Sequence, residues 1–393
     1  MVGVSGALAA SFWLAPSASA TINAARVSSS HRAALSTQIG PTWLDLVNRY
    51  RTASGLATVT DNPAWDAGLL AHFTYIWKTD ADLKTGEYQS LHTENPASPY
   101  YTAAGAQEGS ASDLYFGGGY DISYIDSWLE APFHALGMLN ATLGQVAFAQ
   151  GVGMAGIDVG SGSNENPPAT GPVLFPGPGM LTDLTSYSDG EMPSPLQSCK
   201  WSSSAAVGLP LIAQLTQNPA VGLTASLKIP GGATETSQSG GLCVVDANNY
   251  VSTDAVYGPA GLEILQAYNA VLLIPKSPLA RGTYVATIQQ PGQPAISWSF
   301  HVVGTPVRVT RSLPRTSRGS SYGSRLVGGG GVGPYTWSLS PGTKLPPGLS
   351  LSTSGVISGT TTKSGVFTFQ VYVTDALGGQ SVAWPPLSIA VSQ

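Results

Sequence analysis

Hydrophobic residues recur with helical spacing only in the first third of this chain. Leu46, Val47 and Tyr50 share one face of a predicted helix, because residues three and four apart lie on the same side of a helix. A second apolar stripe, which we expect to be core, consists of Trp65, Leu69, Phe73, Ile76 and Trp77. After Gly160 the pattern changes to short strands and turns, with at most one short helix. This order predicts an α+β fold followed by β domains.

The rest of the N-terminal third is a mixture of element types. Residues 86–120 are loop-like, and Trp128 belongs to a third short helix that Pro132 ends or bends. Residues 145–149 and 155–159 are predicted strands.

Composition favours an extracellular protein with several domains. The chain has 393 residues, more than one hydrophobic core usually contains. Charged residues make up only 10% of it, against about 25% in an average soluble protein. The 47 Gly and 29 Pro residues favour many turns.

The N-terminus resembles a secretory signal. An apolar run from Val4 to Leu14 is too short to span a bilayer, and Ala18-Ser19-Ala20 is a cleavage signature. No later segment reaches the length of a membrane anchor. We therefore divide the sequence into a signal peptide (1–20), a flexible lead-in (21–39), an α+β domain (40–160), a linker (161–172), a β-sandwich (173–304) and a second β-sandwich (305–393).

Charge and cysteine content limit the partners. The net charge of −5 argues against nucleic acid as a ligand. One basic stretch contains Arg308, Arg311, Arg315, Arg318 and Arg325, with no acid between them. It could contact an anionic cell-wall polymer, although a solvated linker and edge strand is the preferred interpretation. Cys199 and Cys243 are the only cysteines, and in an exported protein we expect them to form a disulfide.

Two histidines and nearby acids form a candidate site. His92 and His134 flank a segment that contains Glu108. Imidazoles with carboxylates can bind Zn²⁺ or exchange protons. On spacing alone, two histidines in a loop-rich region are more often unrelated surface groups.

Residues 40–160 also resemble the CAP superfamily, which comprises cysteine-rich secretory and pathogenesis-related proteins. The matching segments are 46–51 with 55–56, 61–64, 91–94, 127–134, 139–140 and 151–153. The resemblance implies an α-β-α sandwich with an open cleft that carries two His and two acidic residues.

By this resemblance, His92 and His134 take the two histidine positions and would be the ligands of any Zn²⁺. Glu108 most nearly matches the first acid, although the Asn that usually follows is absent. Glu130 is the second acid, and Glu94 is a rival for either role.

The C-terminus resembles the immunoglobulin-like repeat of bacterial surface proteins. The matching segments are 334–339, 345–351, 355–360 and 373–375. Two functions follow from both resemblances. The first is a secreted, non-enzymatic module that binds a ligand (a lipid, a cell-wall polymer or a protein) or a metal, with β-sandwich domains as spacers or adhesive units. The second is an extracellular, peptidase-like hydrolase that uses the His/Glu cleft. The first is preferred because no nucleophile motif accompanies the histidines.

Overall fold

A computed structural model describes residues 12–14, 42–117, 121–201, 206–340, 342–376, 379–382 and 385–393. The predicted lead-in (21–39) lies outside these residues, as does the predicted signal peptide apart from Phe12–Leu14, whose backbone forms a short strand. By their internal contacts the described residues form two compact units. Unit 1 contains 12–14, 43–180 and 184–301, and unit 2 contains 42, 181–183 and 302–393.

The described helices all lie in unit 1. They are α1 (Trp43–Ala53), α2 (Asp66–Lys78), α3 (Ala103–Ala111), α4 (Asp121–Glu130), α5 (Pro132–Met138), α6 (Leu196–Cys199) and α7 (Gly258–Ala267), with 3₁₀ turns at Ala81–Leu83 and Gly86–Tyr88. None of these helices is long and apolar enough to cross a membrane.

The strands up to residue 302 belong mainly to unit 1. They are β1 (Phe12–Leu14), β2 (Thr60–Asp61), β3 (Ser112–Phe116), β4 (Gln145–Gly151), β5 (Met154–Asp158), β6 (Val173–Phe175), β7 (Leu181–Thr182), β8 (Ser186–Tyr187), β9 (Glu191–Met192), β10 (Val207–Gly208), β11 (Leu211–Gln214), β12 (Thr224–Lys228), β13 (Thr234–Thr236), β14 (Leu242–Asp246), β15 (Ala270–Pro275), β16 (Gly282–Gln289) and β17 (Ile296–Val302).

The remaining strands belong to unit 2. They are β18 (Val307–Arg308), β19 (Thr316–Ser317), β20 (Ser321–Arg325), β21 (Gly328–Gly329), β22 (Thr336–Leu339), β23 (Leu349–Leu351), β24 (Val356–Thr360), β25 (Gly365–Phe369), β26 (Val371–Thr374), β27 (Gln380–Val382) and β28 (Leu387–Ser392).

Three larger sheets organise unit 1. The first has the order β2-β4-β5-β3-β1-β9, the second β14-β15-β11-β6, and the third contains β13-β12-β16-β17 as neighbours. In the first sheet β4 and β5, which correspond to the two predicted strands, form an antiparallel hairpin with Gly151 opposite Met154. The chain is therefore a mixed α+β protein rich in β-sheet.

The first two helices bury the predicted faces. Leu46, Val47 and Tyr50 of α1 are each 1% exposed, and Leu69 and Phe73 of α2 are equally buried. The prediction for Trp77 is wrong, since its side chain is 60% exposed. Successive helix residues are about 100° apart, so Trp77 lies at the edge of the stripe, beyond the buried Ile76.

The predicted loop at 86–120 is wrong over its second half, which forms α3 and β3. The hydroxyl of Thr102 caps α3 by accepting from the Gly105 N–H at 2.8 Å. A Cβ at Gly105 or Gly109 would clash with side chains of Glu94 and His72 respectively. Gly105 and Gly109 therefore allow α3 to pack closely against its neighbours.

The region after Gly160 also differs from the prediction, because it contains two helices, α6 and α7, where at most one was expected. The predicted disulfide is confirmed. It joins Cys199 of α6 to Cys243 of β14, with 5.5 Å between the Cα atoms.

The predicted linker at 161–172 does not separate two units in the structure, since the residues on both sides of it belong to unit 1. Residues before this segment also contact residues after it. The Gln214 side-chain amide donates to the Leu139 carbonyl at 3.0 Å, and the Leu91 N–H donates to the Tyr257 hydroxyl at 3.0 Å. The division between the units, at His301 and Val302, lies close to the other predicted boundary, near Gly304.

Unit 2 is built from strands alone in its described part. Its three-stranded sheets have the orders β19-β28-β25, β20-β24-β23 and β22-β26-β27, and β18 pairs with β21. Trp337, Ile357, Val373 and Ile389 are central members of its core and are at most 3% exposed.

Candidate functional site

His134 is held at the start of α5 by a carboxyl group from β9. Its Nδ1 lies 3.0 Å from Oε2 of Glu191, and the same oxygen accepts the Phe133 N–H at 3.1 Å. Both side chains are fully buried. Burial raises the pKa of Glu191 well above its usual range, while the hydrogen bonds from Phe133 and His134 oppose that change. The pair joins two segments that are 57 residues apart.

His72 forms a second buried His–Glu pair. Its Nδ1 lies 2.8 Å from Oε1 of Glu94, and its Nε2 lies 2.8 Å from the Leu91 carbonyl oxygen. The other oxygen of Glu94 accepts the Thr102 N–H at 3.1 Å, at the start of α3. Glu94, which was a rival for either acidic position of the cleft, thus holds α2 and the segment before α3 together.

His92 lies in the segment between the second 3₁₀ turn and α3. Its Nδ1 is 3.0 Å from the Gly109 carbonyl oxygen, and the ring packs edge-on against Tyr257, with 6.5 Å between centroids. The residue is 3% exposed, and its Nε2 has no hydrogen-bond partner. Burial lowers the pKa of His92 to about 4, and the neighbouring His72 contributes to the decrease. His92 is therefore neutral at physiological pH.

Glu108 of α3 interacts with Asp158 at the end of β5. Burial raises the pKa of Glu108 to about 9, and the hydrogen bond and charge of Asp158 add to this effect. Each carboxyl group also has one buried oxygen without another partner, Oε2 of Glu108 and Oδ2 of Asp158. The second Asp158 oxygen accepts the N–H groups of Gly160 and Ser161, both at 2.9 Å. Two carboxyl groups so close together favour retention of a proton on one of them.

Glu130 is the last residue of α4 and is only partly buried. Burial raises the pKa of Tyr115 in β3, and the charge of Glu130 adds to this effect. The partners described for the predicted residues are thus different in each case: Gly109 and Tyr257 for His92, Asp158 for Glu108, and Glu191 for His134. Within the described part of the chain, no group of three or more His, Cys, Asp or Glu residues is arranged to hold a metal ion.

The segment 250–261 contacts His92 and the residue that precedes His134. Tyr257 packs on His92, and Tyr250 packs edge-on against Phe133, the neighbour of His134, with 5.8 Å between centroids. A Cβ at Gly261 of α7 would lie 2.3 Å from the Tyr250 hydroxyl, so this helix in turn packs closely on Tyr250. Residues from the second half of unit 1 therefore pack directly on His92 and on Phe133.

A surface groove of about 590 Å³ lies beside the Glu108–Asp158 pair. Its walls contain hydroxyl and amide side chains and one aromatic ring, and no charged residue: Gln107, Ser110, Asn140, Thr142, Ser161, Ser163, Asn164 and Tyr268 are among them. Such walls suit an uncharged polar ligand with a face that can pack on Tyr268.

Sequence reasoning missed four members of this region: Asp158, Glu191, Tyr257 and His72. Glu191 and Tyr257 lie beyond the expected end of the domain at residue 160, so spacing gave no reason to pair them with His134 and His92. His72 had a usable signal, since it lies on the same face of α2 as Leu69, Phe73 and Ile76 and a buried histidine there requires partners.

Comparison with known proteins identifies the C-terminus. Residues 293–391 match the family model described as "Putative Ig domain". No curated protein matches the sequence significantly. No CAP family model matches either, so the CAP resemblance stays a hypothesis.

The solved structures that resemble this chain do so with low TM-scores. A chain described as a "putative alpha-galactosidase/melibiase" from Bacteroides fragilis is 21% identical over 23% of this chain and 18% of its own, with a TM-score of 0.20. The DIP-gamma IG1+IG2 structure is 11% identical over 47% of this chain and 89% of its own, with a TM-score of 0.25. The Ig1-2 module of the Drosophila receptor tyrosine phosphatase DLAR is 10% identical over 57% of this chain and 100% of its own, with a TM-score of 0.19. This chain thus spans less than a fifth of the galactosidase-like chain, and the immunoglobulin-like assignment rests on the family match to residues 293–391.

Proposed function

We propose that this chain is a secreted CAP-type protein that works as a non-enzymatic extracellular binding module, with its immunoglobulin-like domain as a spacer or adhesive unit. The observation that carries the proposal is the burial of the histidines. His72, His92 and His134 are at most 3% exposed, and each has a ring nitrogen close to an oxygen of the protein itself.

This arrangement favours a structural role over hydrolysis. A general base must come within about 3 Å of the proton that it removes, and residues 250–261 cover the region of His92 and His134. An uncharged His92 and a protonated Glu108 suit a buried, low-dielectric interior. The extracellular location is supported by the disulfide and by the low charge content.

The ligand is best placed in the groove next to Tyr268. The groove is open to solvent, large enough for a small molecule and free of charged side chains. It therefore fits a neutral polar ligand better than an ion.

The hydrolase alternative is tested with purified protein and a panel of peptide, ester and glycoside substrates, comparing the parent with His92→Ala and His134→Ala. We expect no turnover above background in any of the three. Turnover that requires both histidines would overturn the proposal and restore the peptidase-like interpretation.

The binding site is tested by blocking the groove. Gln107 is exposed on its rim, so Gln107→Trp should weaken binding of neutral oligosaccharide probes without changing the unfolding free energy. A matched variant, Gln238→Trp, changes an exposed residue on a different surface depression. Equal effects of the two variants would show that the groove is not the binding site.

A further inference from the structure

The charges of this protein are divided unevenly along the chain. Residues 302–393 contain five Arg, two Lys, one Asp and no Glu, a net charge of +6. Since the whole chain has a net charge of −5, residues 1–301 have a net charge of −11. A basic C-terminal module (residues 302–393) therefore follows an acidic segment (residues 1–301).

The acid within this module is not available to neutralise its surface. Asp375 is 4% exposed, and its Oδ2 accepts the Val332 N–H at 2.9 Å. Asp183, which belongs to unit 2 through the short segment 181–183, packs against Gly379 beside β27. Among the arginines, Arg308 is bound to the carbonyl groups of Thr310 and Pro385.

Three of the remaining cations lie on backbone segments at the same end of the β19-β28-β25 sheet. Arg315 and Arg318 flank β19, and the Arg318 N–H donates to the Ser392 carbonyl at 2.9 Å. The Thr361 hydroxyl donates to the Ser317 carbonyl at 2.8 Å, which brings the segment that contains Lys363 to the same place. All three side chains are exposed. We call Arg315, Arg318 and Lys363 the basic edge.

We propose that the basic edge binds a linear anionic polysaccharide. Closely spaced, exposed cations attract a polyanion through many weak ion pairs, and the guanidinium groups suit planar carboxylates. Residues 315–318 and 361–365 contain no aromatic side chain. Single-stranded nucleic acid is normally bound with aromatic stacking platforms, so the composition favours a polysaccharide.

This inference rests on the proposed function only for the extracellular location of the ligand. Binding is measured on the purified full chain, so it can fail or succeed independently of export and of the groove beside Tyr268.

The test is titration calorimetry of the full chain with polygalacturonate, with neutral dextran as the uncharged comparison. The triple variant Arg315→Gln/Arg318→Gln/Lys363→Gln removes the basic edge. The matched triple variant Lys200→Gln/Lys228→Gln/Arg281→Gln removes three exposed cations from unit 1. Both variants change the net charge equally, so they separate a local site from a general charge effect.

We expect polygalacturonate to bind the parent and dextran not to bind. The basic-edge variant should bind roughly 10-fold more weakly, since each exposed ion pair contributes little alone, and the matched variant should bind within about 2-fold of the parent. Affinity should also fall between about 0.05 M and about 0.2 M NaCl, because the Debye length shrinks from roughly 14 Å to roughly 7 Å.

Three results would overturn the proposal. These are no binding of polygalacturonate at low salt, an equal loss of affinity in the two triple variants, and binding of single-stranded DNA of equal charge that is as tight as that of polygalacturonate.

Discussion

Replacing Gly109 by Ala should destabilise unit 1, because α3 packs on the imidazole of His72 at this residue. A Cβ at Gly109 would lie 2.3 Å from Cε1 and 2.4 Å from Nδ1 of His72. The ring cannot move away without losing its contacts with Glu94 and the Leu91 carbonyl, each at 2.8 Å.

The expected loss is the balance of three effects. Ala in place of Gly inside an unobstructed helix stabilises it by about 1 kcal/mol. Forcing an extra methyl group into a packed core costs about 1–3 kcal/mol. Breaking a buried hydrogen bond costs a further amount of about 1–3 kcal/mol. The net result is a decrease of about 3 kcal/mol in the free energy of unfolding, and the variant should reverse the usual benefit of Gly→Ala in a helix.

Urea unfolding followed by helical circular dichroism measures this free energy, since all described helices lie in unit 1. The control is Gly171→Ala, where an added Cβ would have no heavy atom within 4 Å. We expect the control to lie within about 0.5 kcal/mol of the parent. A Gly109→Ala protein as stable as the parent, or more stable, would refute the close packing of α3 on His72.

Four further outcomes are expected. The pKa of Glu108 is about 9 in the folded state, so the stability that its protonated form contributes is present below its ordinary pKa of 4.5 and is lost as pH rises through 9. Glu108→Gln should reduce this decrease of the unfolding free energy with rising pH, and a pH dependence identical to the parent's would contradict the shifted pKa. The pKa of His92 is lowered to about 4, so the stability linked to its neutral form is present above pH 6.5 and is lost as pH falls through 4. His92→Gln should reduce the loss of unfolding free energy in acid, and a loss equal to the parent's would count against the burial of His92. Replacing both cysteines by Ser should cost about 4 kcal/mol for a separation of 44 residues, and no change in unfolding midpoint would contradict a stabilising disulfide. N-terminal sequencing of secreted protein should begin at Thr21, so that the mature protein lacks β1, and a start at Met1 would exclude cleavage after residue 20.

Local patterns predicted the elements whose apolar faces are strongly periodic. Leu46, Val47 and Tyr50 specify the buried face of α1, and the turn at Gly151–Gly153 separates two strands as expected. α3 escaped prediction because its residues are Ala, Gly, Gln, Glu and Ser, which give no apolar stripe. Its burial is set by close contact with α2, which is a property of the tertiary structure.

The candidate site was predictable only in part for a similar reason. The sequence identified His92, Glu108 and His134 as notable, and each is buried in unit 1. Their partners are a backbone carbonyl and side chains from distant segments, including Glu191, which is 57 residues from His134. Spacing along the chain does not reveal such pairs.

The interaction between His134 and Glu191 tests the central claim that these buried groups hold unit 1 together. A double-mutant cycle with His134→Ala, Glu191→Ala and the double variant isolates their coupling in the free energy of unfolding. Because both side chains are fully buried, we expect each single variant to lose about 3 kcal/mol and the pair to be coupled by more than about 1 kcal/mol. Zero coupling, with both single variants as stable as the parent, would contradict the account.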